Sequence, residues 1–336
     1  MTPEVSIVVP CLNEIRYIED CITSILNNGF DSDKLEILIV DGGSNDGTLE
    51  ALNGLIEAHS QVRILSNPQK FTPISLNIGI KAATGKYILI SSAHAAFEKN
   101  YISILKSILD SQQDAIAVGG VMLTKVKHSN VISESIRTVL MHPVGVGNSK
   151  FRTGVKHLSK VDTVPFGLYN AALLKNSGGY DIRLIRNHDM ELSKRLLASG
   201  GTIYLTPEAS CTYFARETYR EMARNNFNNG KWNLKTTWIT KTVRSLSLRH
   251  FIPLLFLVAW SLPLVLTIFT HDYRWAVFSL GLITLYKIII SFISWKAMDG
   301  KNGWFQLVTA FLILHFSYGL GSLIGLLSIP FTPTKQ

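Results

Sequence analysis

The chain has 336 residues, a formal net charge of +9 and 47% hydrophobic residues. That length suits one large α/β domain plus an appendage. Three widely spaced cysteines (Cys11, Cys21, Cys211) exclude a disulfide framework and a cysteine metal site, and they fit a reducing compartment.

The predicted elements alternate. Val5 to Pro10 is an apolar strand that Pro10 is expected to end, and Arg16 to Asn28 is a helix with Tyr17, Ile18, Cys21, Ile22, Ile25 and Leu26 on one face. Glu36 to Val40 is the second strand, and Thr48 to His59 a helix opened by the Ser44-Asn45-Asp46 turn. Strand Val62 to Leu65, helix Pro73 to Ala83, strand Tyr87 to Ser91, helix Lys99 to Ser111 and strand Ala115 to Leu123 follow. Such alternation predicts a mostly parallel sheet with helices on both faces. Residues 124 to 162, with Gly145, Gly147 and Gly154 among polar residues, predict a long surface loop. There is no internal repeat and no low-complexity stretch. The N-terminus enters a strand directly, so no secretory signal is expected.

The first two strands deliver polar residues at their C-terminal ends. Val5 to Glu14 reads VSIVVPCLNE, and Ile37 to Thr48 reads ILIVDGGSNDGT. In an open α/β sheet that edge is where ligands bind. The glycines after Asp41 let a backbone approach a nucleotide. No G-x-G-x-x-G follows the first strand, against a dinucleotide fold.

These two elements together resemble the signature of family 2 glycosyltransferases, inverting nucleotide-sugar enzymes of GT-A fold. The resemblance extends to about residue 215. It continues through Asn77-Ile78-Gly79, Ala83-Thr84-Gly85, Pro165-Phe166-Gly167, Gly178-Gly179-Tyr180-Asp181 and His188-Asp189-Met190-Glu191-Leu192. Residues 72–95 look most like the branch that holds a succinoglycan glucosyltransferase. The resemblance implies an α/β GT-A nucleotide-diphospho-sugar transferase domain. In it an acceptor hydroxyl displaces the diphosphate at the anomeric carbon.

That reaction needs a base, a grip on the nucleotide and neutralisation of the leaving diphosphate. The family's E-D-x-x-L motif supplies the base. Here His188 stands for the Glu, and Asp189 is the catalytic candidate. Glu191 is either an acceptor contact or a solvated helix position. Pro10, Asn13, Glu14, Asp41 and Asp46 are the nucleotide-binding candidates: Asp41 for uracil or ribose, Pro10 for shape, Asp46 either contact or helix cap. Tyr169 either stacks on an acceptor sugar or packs in the core.

The diphosphate grip departs from the family. Where D-x-D holds a divalent cation, this chain has Ser92-Ala93-His94. A hydroxyl is a poor ligand for a hard cation, and a lone imidazole suits Mn²⁺ better than Mg²⁺. Either a divalent cation is still held at this degenerate site, or cationic side chains neutralise the phosphates. Candidates for the latter are Arg216, Arg220 and Arg224, at spacing four, with Lys231 and Trp232, which loosely match a Q/R-x-x-R-W clamp.

Residues 209–250 hold eight Lys/Arg against two Glu. A basic block just before apolar segments reads as contact with membrane lipids or phosphates. Three apolar segments follow, at about 251–270, 275–295 and 304–329, each long enough to cross a bilayer. Lys287 is the one formal charge in the second and His315 the one ionisable residue in the third. Gly321 and Gly325 have helix-packing spacing. The expected domains are 1–215 (GT-A), 216–250 (basic, amphipathic, membrane-proximal) and 251–331 (transmembrane). Lys/Arg counts place the catalytic domain in the cytoplasm at a bacterial-type inner membrane, with the C-terminus outside.

The expected function is sugar transfer from a UDP-sugar donor to a polyprenyl-linked saccharide acceptor in surface or exopolysaccharide synthesis. No nucleic-acid partner is implied. A processive synthase would need more membrane helices and a clear Q-x-x-R-W. A non-catalytic nucleotide-sugar-binding subunit is the different-class alternative, because D-x-D is lost. A transporter-like protein fits less well with so long a catalytic-type domain.

Overall fold

A computed structural model describes residues 2–147 and 149–332. The chain forms two compact units: one takes the chain up to Leu123 plus Lys150–Phe214, the other Thr124–Ser149 plus the chain from Ala215 on.

The first unit is a three-layer α/β/α domain. Its elements begin β1 (Val5–Cys11), α1 (Ile18–Leu26), β2 (Leu35–Asp41), α2 (Thr48–Ala58), β3 (Val62–Ser66), α3 (Thr72–Ala82), β4 (Tyr87–Ile90), β5 (Ala95–Phe97), α4 (Tyr101–Ser111) and β6 (Ala115–Lys125). In the second unit, α5 (Val131–Met141) and the single-turn α6 (Pro143–Val146) follow. The first unit resumes with α7 (Lys150–Thr153), β7 (Ser159–Lys160), β8 (Leu168–Asn170), α8 (Ala171–Asn176), α9 (His188–Ala198) and β9 (Thr202–Phe214).

The sheet order is β3-β2-β1-β4-β8-β6-β9-β5, with β7 on β9. β3, β2, β1 and β4 are parallel. β8 is antiparallel to β4 and β6, and β5 and β7 are antiparallel to β9. The sheet is therefore mixed, and "mostly parallel" describes only its first four strands.

β1, β2 and β4 are mostly apolar because both faces are covered, with Ser6 and Glu36 as buried polar exceptions, whereas β3 at the edge is partly exposed. Val5, Ile7 and Val9 of β1, with Ile37 and Ile39 of β2, pack on Ile18, Cys21, Ile22 and Ile25 of α1 and Leu105 of α4. Val8, Leu38 and Val40 face the opposite layer, against Leu76 and Ile80 of α3 and Leu192 and Leu196 of α9. Each such side chain contributes about 1.5–3 kcal/mol by burial. α3 lies so close to β1 that a Cβ on Gly79 would stand 2.3 Å from Val8 Cγ1. All three cysteines are buried and unpaired. Burial pushes the thiols of Cys11, Cys21 and Cys211 up to about 12, so they are poor nucleophiles.

Pro10 does not end β1. It lies inside the strand opposite Val40, and Cys11 opposite Asp41 closes the register. Pairing with β4 has already stopped at Val8, so the missing proline N–H costs no ladder bond on that side.

The second unit holds α5, α6, α10 (Tyr219–Thr240), α11 (Ile252–Thr270), α12 (Arg274–Lys296) and α13 (Trp304–Leu327). Residues 124–162 are thus not one long loop. Asn130 caps α5 through a reciprocal capping box with Ser133. Ile136 and Val139 of α5 pack with Leu307, Ala310, Phe311 and Leu314 of α13. That packing groups 124–149 with the C-terminal helices rather than with a contiguous 1–215 domain. Among the described residues, three stretches are long and apolar enough to cross a membrane: Leu248–Thr270, Arg274–Lys296 and Trp304–Leu327. The tail residue Lys335, used in the Lys/Arg counts, lies outside the described residues.

Candidate active site

At the C-terminal edge of the parallel strands, the loops after β1 and β2 are stitched together. Asn13, in the left-handed region at φ 58°, donates its amide to Ser44 Oγ at 2.8 Å. Its own Oδ1 accepts from the Asn45 amide at 2.9 Å. The Glu14 amide donates to Thr48 Oγ1 at 2.9 Å and the Ile15 amide to Asp46 Oδ2 at 3.3 Å. Asp46 Oδ1 also accepts from the Thr48 amide at 3.1 Å. The Thr48 hydroxyl bond, then the Ile15 amide, holds the Asp46 carboxyl below its ordinary value of 3.8. Asn13 and Asp46 thus fix the shape of this edge, whatever else they touch.

Asp41 is 6% exposed. Its carboxylate accepts from the Gly43 amide at 2.7 Å, the Ser44 amide at 3.1 Å and the Ser44 hydroxyl at 2.6 Å. A carboxylate has about four acceptor sites, so most of its capacity closes its own turn. Gly43, at φ 81°, supplies the left-handed turn that makes this possible.

Between β4 and β5, Ser92 Oγ accepts from the His94 amide at 3.3 Å. The His94 ring reaches back, and its Nε2 lies 2.9 Å from Glu14 Oε1. Tyr17 packs edge-on against that imidazole, with centroids 4.9 Å apart. The sequence pattern put Tyr17 on the apolar helix face. Its nearness to His94 is a fold-level fact without a local signal.

Asp189 lies in the first turn of α9, after Asn187 at φ 62°. An acid there is stabilised by the positive end of the helix. Its side chain is 65% exposed, while the neighbouring His188 is 13% exposed with Nε2 3.5 Å away. His188 Nδ1 is buried and has no hydrogen-bond partner. Beneath Asp189, burial first and then the Asp189 charge push the Tyr169 and Tyr180 phenols up.

The loop that carries α9 is clasped from a distance. Asn77 Nδ2 donates to Tyr180 O at 2.8 Å, and the Tyr180 amide donates to Asn77 Oδ1 at 2.8 Å. Gly179 has φ 70°, and a Cβ there would meet Asn77 Oδ1 at 2.5 Å. Arg195 adds a second clasp by donating to Gly179 O at 2.7 Å and to Ser177 O.

The structure bears on two acceptor-side alternatives. Glu191 is 8% exposed and takes Arg195 bidentately at 2.8 and 2.9 Å. Both its oxygens are engaged by Arg195, which holds the loop, so it is not a solvated position. Tyr169 is 4% exposed in the core with Val164 and Tyr180, so its ring offers no free face to a sugar.

Other family-like motifs are structural. Thr84 donates its amide and hydroxyl to the buried Glu36 at 3.0 and 3.1 Å, and the Gly85 amide donates to Ser6 Oγ at 2.9 Å. Arg220, Arg224, Lys231 and Trp232 lie on α10 of the second unit, with Arg216 just before it. The Lys235 ammonium stands over the Trp232 ring at 5.6 Å.

Among the described residues, no group of three or more His, Cys, Asp or Glu is gathered to hold a metal ion. Glu14 and His94 supply one oxygen and one nitrogen at adjoining positions. That donor set fits a divalent cation only if it takes most of its ligands from phosphate and water.

The first unit thus presents a polar sheet edge after β1 and β2 and, on α9, the solvent-facing Asp189. Residues 6–162 match the model of glycosyl transferase family 2. The dolichyl N-acetyl-alpha-D-glucosaminyl phosphate 3-beta-D-2,3-diacetamido-2,3-dideoxy-beta-D-glucuronosyltransferase of Methanococcus voltae is 28% identical over 233 residues, 67% of this chain and 71% of that protein. Succinoglycan biosynthesis protein ExoA of Rhizobium meliloti (strain 1021) is 28% identical over 235 residues, 68% of each. The crystal structure of GalNAc-T7 with UDP, GalNAc and Mn²⁺ aligns with a TM-score of 0.50 at 15% identity, over 64% of this chain and 44% of that one. That last likeness concerns the fold alone. The first unit, with its GT-A-like mixed sheet, thus contains most of the segment that matches glycosyl transferase family 2.

Proposed function

We propose that this protein is a membrane-anchored, inverting hexosyltransferase. It moves a sugar from a UDP donor to a lipid-linked saccharide in surface polysaccharide assembly. The observation that carries the reading is Asp189: a carboxylate 65% exposed at the start of α9, on a loop clasped by Asn77 and Arg195. The dolichyl-phosphate-linked acceptor in the name of the Methanococcus voltae relative supports the lipid-linked part, and the role of ExoA in succinoglycan biosynthesis supports the polysaccharide part. The apolar C-terminal helices supply the anchor, with the catalytic unit on the cytoplasmic, Lys/Arg-rich side of a bacterial-type inner membrane.

The acceptor hydroxyl gives its proton to the Asp189 carboxylate as its oxygen bonds the anomeric carbon. The bond from that carbon to the diphosphate oxygen breaks, and UDP leaves with the electron pair. Attack from the opposite face inverts the configuration. The stitched loops around Asp41 and Asn13 hold the nucleotide and keep its site in shape before binding. Glu14 and His94 would hold a divalent cation, which when bound neutralises charge on the diphosphate.

Transfer assays on the full chain in membranes, across UDP-sugars with a lipid-linked saccharide, test this reading. Mg²⁺, Mn²⁺ and EDTA arms test the cation. Transfer with inverted anomeric configuration is expected. Ser92 in place of an acid favours one other reading, a nucleotide-sugar-binding subunit. UDP binding without turnover under every condition would select it.

A further inference from the structure

The three apolar helices differ in what covers them. Mean hydropathies are 2.3, 2.1 and 1.8 in chain order, so composition treats them alike. Within the most apolar window, however, 11% of the residues are buried in the first and second, against 39% in α13.

Much of what covers α13 is polar, although Phe256 and Trp260 of α11 and Ile290 of α12 also pack on it. α10 runs along it at backbone contact. A Cβ on Gly321 would lie 2.0 Å from Phe227 O, one on Gly325 2.4 Å from Lys231 O, and one on Gly230 2.0 Å from Tyr318 O. Ser322 Oγ donates to Gly230 O at 3.2 Å, and Asn233 Nδ2 donates to the Tyr318 hydroxyl at 2.9 Å. The buried stripe of α10 (Met222, Asn226, Gly230, Asn233) follows helical spacing. The opposite face then carries Arg220, Arg224, Asn228, Lys231 and Lys235. From Arg220 to Lys235 that face extends about 22 Å at 1.5 Å per residue. A bilayer core is about 30 Å thick, and side chains spread over that length cannot all snorkel to one surface. On another flank, α5 packs Ile136 and Val139 on α13 while holding the Arg137–Glu134 ion pair at 2.6 Å and the Arg137–Asp299 pair at 3.6 Å.

Exposed apolar residues at the two ends of α13 share one face, on which Phe316 between them packs against Phe256 and Trp260 of α11. Phe305, Leu320, Ile324 and Leu327 are 68%, 47%, 37% and 63% exposed. At 3.6 residues per turn they fall within about 100° of one another, opposite the buried Leu307, Leu314, Gly321 and Gly325. α13 is apolar on its buried side as well, so its one-sidedness comes from the α10 and α5 helices packed on it, and that layer suits the plane of the membrane interface. α11 and α12 are exposed and apolar on most sides: Leu255, Ile268, Phe269, Val277, Leu280 and Ile288 are 58% exposed or more. They form a hairpin joined by the Phe256–Tyr286 contact, with centroids 4.6 Å apart.

We propose that the α11–α12 hairpin alone crosses the bilayer, and that α13 lies in the water–lipid interface with Phe305, Leu320, Ile324 and Leu327 against the acyl chains. Two crossings return the chain to the side where it entered, whereas three would leave the tail opposite. This topology stands apart from the reaction assigned above.

Thr2→Cys, Tyr273→Cys and Thr332→Cys, each in the full chain in cell membranes, would be treated with a membrane-impermeant maleimide before and after permeabilisation. The native cysteines are buried and give no competing signal in folded protein. The expected result is that Thr2→Cys and Thr332→Cys label together, under the condition opposite to Tyr273→Cys. Labelling of Thr332→Cys together with Tyr273→Cys would mean three crossings and overturn the proposal. Labelling of all three together would mean that the hairpin does not cross, and would overturn it equally.

Discussion

His94 Nε2 lies 2.9 Å from Glu14 Oε1, which joins the residue at the third position of the lost D-x-D to the acid of the first strand's P-x-x-N-E. Two side chains that sequence reading assigned to separate tasks, nucleotide and diphosphate, form one unit. Either variant, Glu14→Gln or His94→Ala, should lower UDP-sugar turnover about 10²-fold, as for loss of one group that stabilises a leaving anion. The double variant should cost little more than either single one. Additive losses in kinetics across the cycle would show that the two act apart.

Asn77 holds the loop before α9 by two hydrogen bonds to the Tyr180 backbone. Asn77→Ala leaves both backbone groups without these partners. That should cost about 1–3 kcal/mol in a chemical-denaturation midpoint of the catalytic unit. Turnover should fall through kcat, since the displaced group is the base rather than the nucleotide. An unchanged midpoint and kcat would remove the clasp from the account.

Asp46 links stability of the sheet edge to pH. Its folded carboxyl value is held below the ordinary 3.8 by the Thr48 hydroxyl. A depressed carboxylate stabilises fully above its unfolded value, and this is lost as pH falls through the lower folded value. Protection factors of the Ile15 and Thr48 amides should therefore hold down to about pH 4 and fall below it. Asp46→Asn should flatten that fall. A wild-type profile that stays level to pH 2 would contradict the assignment.

The α10–α13 seam leaves no room for a side chain at Gly321. Gly321→Leu must displace the Phe227 carbonyl, which even a Cβ would approach to 2.0 Å. Overpacking of this kind costs about 1–3 kcal/mol or more. In detergent, thermal unfolding of the second unit should shift downward, while UDP affinity changes little. A silent substitution would contradict the close approach.

Much of this molecule was legible because its central strands are buried on both faces. β1, β2 and β4 appear as apolar runs ending in polar residues, and the family-like motifs located Asp189. β5, β7 and β8 have two or three residues each, too few for a period. β9 is interrupted by Pro207 and Glu208, which hides a 13-residue strand. α5 was lost in an expected loop because its buried face includes Ser133, Glu134 and Ser135, so no apolar stripe marks it. The motif glycines and Asn77 were visible, but their partners were not: Asn77 meets Tyr180 across 103 residues. Glu191 and Tyr169 stay open in sequence because an acid near a base and an aromatic near a pocket look the same whether they face substrate or core.

The most direct test of the account is Asp189→Asn. The side chain is 65% exposed, so the isostere should fold and bind UDP as the wild type does. With a lipid-linked saccharide and the preferred UDP-sugar supplied, kcat should fall about 10²–10⁴-fold, the worth of a positioned general base. Turnover within a few-fold of wild type, with UDP affinity unchanged, would show that the base is another group.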